Sequence, residues 1–133
     1  MIASLLTKLD NFERSVRTSF GRDISSRSGR FWAYIHFHLM DHAFLRILWS
    51  NFHKVCDDAY RASQPSPSDL RSYKNKGIKA VLNLRGFTPQ SYALFEEESC
   101  KQLGLELISV PLSGSFAPQS EKLLEIIGMM EKI

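Results

Sequence analysis

The chain has 133 residues, 44% of them hydrophobic and 23% charged, a balance that excludes a disordered segment and suffices for a core without disulfide or metal staples. Its net charge of +3 is uneven: residues 1–54 hold eight Lys/Arg against four Asp/Glu, and residues 55–133 hold nine against ten. An excess of four positive charges over 54 residues is too thin to make nucleic acid an expected partner.

The first residues lack a positive segment followed by an apolar run, so no secretory signal is expected. Ile2, Leu5, Leu6, Leu9, Phe12, Val16 and Phe20 recur every three or four residues, the stripe of an amphipathic helix. Asp10 with Arg14, and Glu13 with Arg17, add pairs four apart. Gly21 is the expected stop, and the Arg/Ser-rich residues 22–30 read as a mobile hinge.

A second helix is expected over residues 31–52. Its polar groups, His38, His42, Arg46 and Ser50, fall every fourth residue, with Trp32, Ile35, Phe37, Leu39, Phe44, Leu45, Leu48 and Trp49 around the rest. Asp41, Arg46 and three histidines exclude a spanning helix. So apolar a helix needs cover, with Trp49 and Phe52 as the expected anchors, and residues 31–52 are a candidate surface for self-association or membrane-surface contact. His38 and His42 have the spacing of a metal pair. However, His36 lies about 200° round the helix from His38, and no Glu completes a His-Glu-x-x-His pattern. No metal site and no cofactor are expected.

From Val55 the pattern changes. A short extended piece carries Tyr60 and Arg61. Ser66, Pro67 and Asp69 then open a helix that Gly77 closes. Residues 78–84 are apolar and β-rich, as in a buried parallel strand. Thr88-Pro89 restarts a helix ending at Gly104, residues 105–110 form the next strand, and a last helix begins near Pro118. Strand, helix and strand make one βαβ unit, parallel by expectation. A further strand belongs beside it, so the parallel sheet reads as incomplete.

The order of three segments, Arg61-Ala62-Ser63-Gln64-Pro65, Asn83-Leu84-Arg85-Gly86 and Pro111-Leu112-Ser113, preceded by Trp49-Ser50-Asn51, resembles the front half of a bacterial cysteine-dependent phosphatase of the tyrosine/dual-specificity type. The resemblance covers residues 42–133. It implies hydrolysis of phosphomonoesters: a thiolate of depressed pKa attacks phosphorus from a loop at a helix N-terminus, and an Arg six positions on grips the phosphoryl oxygens. It implies a phosphorylated protein or small phosphate ester as substrate of the intact form.

Neither cysteine fits that role, since six residues after Cys56 comes Ala62 and six after Cys100 comes Glu106. Both read as packing or surface thiols in a reducing cytoplasm, and Glu96-Glu97-Glu98 should raise the pKa of Cys100. The loop 111–116, where the family places its general acid, has no carboxylate. No catalytic residue is therefore assigned. Arg85, at the end of the first parallel strand, is the candidate support of a phosphate loop, with Arg61, Ser63 and Gln64 organising the approach to the sheet. The expected fold is α/β: a helical extension over residues 1–54, then an incomplete phosphatase-like parallel sheet flanked by helices over residues 55–133. The expected function is the N-terminal portion of such a phosphatase, inactive by itself. The alternative is a non-catalytic binding or regulatory remnant.

Overall fold

The computed structural model describes residues 7–8, 11–12, 15, 20–40, 49–113 and 116–132. The chain is of mixed α/β class, with helices and two small sheets. It divides into two compact units, residues 1–66 with 89–95 and residues 67–88 with 96–133.

In the first unit, Thr7, Lys8, Asn11, Phe12 and Ser15 are helical, as the stripe predicts. Ile2, Leu5, Leu6, Leu9, Val16 and the two charge pairs lie outside the described residues. The predicted hinge is instead the start of a helix, α1 (Arg27–Ile35). Its cause is local: the Ser26 hydroxyl accepts from Gly29 N–H at 3.0 Å, filling one orphan donor of the first turn. The Asp23 carboxylate accepts from Ser25 N–H at 2.8 Å, from the Ser25 hydroxyl at 2.6 Å and from the Ser26 hydroxyl at 3.2 Å. Those bonds hold the exposed Asp23 carboxyl below its usual range.

The helix continues with wider π spacing over His36–Met40. The uninterrupted helix predicted to Phe52 does not hold, because Trp49, Ser50, Asn51 and Phe52 are not helical and Asn51 sits at φ 50°. Of the predicted polar strip, His38 is half-buried, Ser50 is off the helix, and His42 and Arg46 lie outside the described residues. Trp49 is no anchor: it is 78% exposed. Phe52 instead stacks on Tyr60, with ring centroids 5.0 Å apart and planes 8° from parallel.

That stack braces a hairpin the sequence did not announce. Strands β1 (His53–Cys56) and β2 (Ala59–Arg61) pair antiparallel, His53 opposite Arg61 and Lys54 opposite Tyr60, with an irregularity at Val55. The core of the unit is Ala33, Phe37, Tyr92, Ala93 and Phe95, with Ile24 packed against it. Phe37 meets Phe95 edge-on at 5.8 Å, and burying each such ring contributes roughly 1.5–3 kcal/mol.

The second unit holds the expected βαβ arrangement. Helix α2 (Pro67–Asn75) buries Leu70 and Tyr73. Strand β3 (Ala80–Asn83) pairs parallel with β4 (Glu106–Ser109), Ala80 opposite Glu106 through Asn83 opposite Ser109. Between them runs α3 (Ser91–Leu103), whose first turn belongs to the first unit. Helices α2 and α3 end alike: Ile78 N–H reaches the Tyr73 carbonyl at 3.1 Å and Leu105 N–H the Cys100 carbonyl at 2.9 Å, the closure of a Schellman cap. Both strands are shorter than predicted, and Val81, Leu82, Leu107 and Ile108 are only half-buried. The last helix, α4 (Ser120–Met130), buries Ile126 and exposes Leu123, Leu124, Ile127 and Met130.

Candidate functional site

The most constrained feature of the second unit is the carboxyl end of β3. Asn83 is an amide in an otherwise apolar strand, only 6% exposed, and a buried amide must find partners. Its Oδ1 accepts from Arg85 N–H at 2.8 Å, and its Nδ2 donates to Glu96 Oε2 at 2.5 Å. The partners fix the orientation of the amide, since a backbone N–H can only donate and a carboxylate only accept. Glu96, 3% exposed on α3, thus has a donor for a charge that would otherwise be costly to bury.

The turn is pinned from the other side as well. Val110 N–H donates to the Asn83 carbonyl at 2.9 Å and Leu112 N–H to the Leu84 carbonyl at 2.8 Å. Gly86 sits at φ 74°, and a Cβ there would lie 2.7 Å from Pro111 Cβ. Only glycine serves at this point, for the left-handed backbone and for the close approach alike. Residues 84–86 are therefore locked against Pro111-Leu112, and two of the three segments singled out in the sequence meet.

This geometry presents Arg85 in a fixed frame. Its side chain is exposed at the carboxyl end of a parallel strand, where ligands of open parallel sheets gather. Residues 84–88 and 110–120, which follow the two strands, contain one cation, Arg85, and no carboxylate. Locally the composition favours an anion.

The other sequence-predicted residues belong to the first unit, whereas Arg85 belongs to the second. Ser63 donates twice to the Ser50 carbonyl, from its N–H at 3.0 Å and from its hydroxyl at 2.8 Å. Segment 61–65 is thereby tied to Trp49-Ser50-Asn51. Gln64 is half-buried beside it, and Arg61 is exposed at the end of β2. Asn83 entered the sequence analysis only as part of the segment 83–86 and Glu96 only as part of the acidic run before Cys100, and neither had a place in the site. The available signal was an Asn inside an apolar strand, together with the spacing that puts Glu96 on the buried stripe of Tyr92, Ser99 and Cys100.

The thiols differ sharply. Cys56 is exposed on β1, while Cys100 is 1% exposed on α3. Burial, and then the Glu96 carboxylate, push the Cys100 thiol up to about 11, as the acidic run led one to expect. Since only thiolate reacts, a disulfide reagent at neutral pH should label Cys56 alone on a fast timescale. Cys56→Ser should abolish the fast phase; fast labelling that persists in that variant would contradict the burial of Cys100.

No family model, curated protein or solved structure matches the chain.

Proposed function

We propose that the chain supplies the front half of a cysteine-dependent phosphatase of the tyrosine/dual-specificity type, with the turn 83–86 supporting the loop that holds the phosphoryl group. The observation that carries this reading is the Asn83 clamp. It fixes Arg85 at the carboxyl end of a parallel strand beside segments without a carboxylate. The order of the segments around Ser63, Arg85 and Pro111 supports it. Cys100, buried and with its pKa raised, is not the thiol this reading requires.

In the intact form a thiolate attacks phosphorus, the bond to the ester oxygen breaks, and that oxygen takes up a proton. Water then cleaves the phosphocysteine, releasing phosphate and the thiolate. Arg85 acts before and through these steps by holding the loop's backbone or a phosphoryl oxygen in place. Residues 110–120 supply no carboxylate, so the proton comes from a group elsewhere.

Two results test this. The 133-residue chain should not hydrolyse p-nitrophenyl phosphate; vanadate-sensitive turnover that survives Cys56→Ser with Cys100→Ser would overturn the route. The codons that follow Ile133 should encode a strand and a Cys-x-x-x-x-x-Arg loop. The protein carrying them should be active, and Arg85→Ala should lower its kcat/KM, by roughly up to a hundredfold for a misplaced loop. A frame without such a loop would leave a binding or regulatory protein in place of an enzyme.

A further inference from the structure

The outward face of α1 carries aromatic rings and arginines together. Phe31, Trp32 and Tyr34, with Leu39 in the π turn, are each more than half exposed, while Ala33, His36 and Phe37 are buried. At about 100° per residue, Arg27, Arg30, Phe31 and Tyr34 fall on one side of the helix, and Trp32 lies a further 100° round from Phe31. The rings are ordered: Trp32 meets Phe31 at 5.7 Å and Phe20 at 6.2 Å, both edge-on. Residues 20–40 contain three arginines, Arg22, Arg27 and Arg30, all exposed, and one carboxylate, Asp23. That carboxylate is turned onto Ser25 and Ser26 by three hydrogen bonds.

Such a face needs an occupant that takes rings and positive charge at once. A second copy fits less well, because it would bring the same three arginines to the contact with one carboxylate in residues 20–40 to answer them. An anionic bilayer surface fits both features. Amphipathic rings settle at headgroup level, and arginines meet lipid phosphates and carboxylates. Among the described residues no helix is long and apolar enough to cross a membrane, so the geometry is that of a helix lying on the surface. We propose that α1 and its π turn seat this protein on an anionic lipid surface, through Phe31, Tyr34 and Leu39 with Arg22, Arg27 and Arg30.

The test is co-sedimentation of the full chain with phosphatidylcholine vesicles, with and without phosphatidylserine. Partition should appear with phosphatidylserine and weaken as salt is raised. Arg27→Gln with Arg30→Gln should lower it roughly twenty-fivefold, about fivefold for each charge. Phe31→Ser with Leu39→Ser should lower it as well, and circular dichroism should show the helix retained in both variants, since Ala33, His36 and Phe37 still pack beneath it. Three outcomes would overturn the proposal: no binding to phosphatidylserine vesicles, equal binding with and without the anionic lipid, or a concentration-dependent dimer that the ring variant dissolves while vesicle binding stays absent.

Discussion

Gly86→Val will destabilise the chain by roughly 2–5 kcal/mol, the sum of about 1–2 for an L-residue in the left-handed region and about 1–3 for overpacking. Both contributions are set by position. Gly86 holds φ 74°, and the new Cβ would stand 2.7 Å from Pro111 Cβ and 3.1 Å from its Cα. The second contact is to backbone, which has no rotamer to move. Valine's two γ-methyls add further bulk at an approach that the Leu112 N–H bond to the Leu84 carbonyl helps to hold. A melting point lowered by roughly ten degrees or more is the expected reading for a domain of this size. Gly128→Ala is the matched control. It lies within α4 with nothing within 4 Å of an added Cβ, so it should leave stability unchanged or raise it by up to about 1 kcal/mol. Equal effects from the two substitutions would mean that the turn at 84–86 is not locked as described.

The fate of particular residues shows what the sequence could carry. The βαβ order was legible because its signals are local. Ser66-Pro67 opens α2, glycines close α2 and α3, and an apolar run marks β3. The hairpin was not legible: all four residues of β1 are exposed, so no alternation marks the strand, and it is held by pairing and by Phe52 on Tyr60. Residues 22–30 looked like a hinge because arginine and serine dominate the composition. Three hydrogen bonds to Asp23 and the Ser26 cap turn half of that stretch into a helix start. Trp49 was read as an anchor from its place on an apolar stripe, and that inference failed when the chain left the helix before it. Trp49→Ala should accordingly cost little. At the candidate site, Arg85 could be found from the strand end it follows. Its support could not, since nothing in Glu96-Glu97-Glu98 distinguishes the first glutamate until α3 is wound and Asn83 stands opposite it.

His36→Ala should cost roughly 3–5 kcal/mol, the second large effect expected of a single substitution, from a cavity and a lost buried hydrogen bond together. His36 is 2% and Ser91 0% exposed, and His36 Nδ1 and Ser91 Oγ are bonded at 2.7 Å across 55 residues of sequence. The ring is also packed edge-on by Phe20 at 5.2 Å. Gly21 lies so close that a Cβ there would sit 2.7 Å from His36 Cβ. The pair joins the helical extension to the first turn of α3 within the first unit. The core beside it, Phe37 on Phe95, is apolar. The His36–Ser91 bond favours the register observed, because a shift that breaks it loses a buried hydrogen bond. Ser91→Ala should cost less, about 1–3 kcal/mol, as it removes the hydroxyl and little volume. The double variant should cost less than the two singles added, by roughly 0.5–3 kcal/mol, the signature of groups in direct contact. Denaturant melts of the four proteins measure the difference. Strict additivity would show that the bond contributes nothing beyond the volume of the ring.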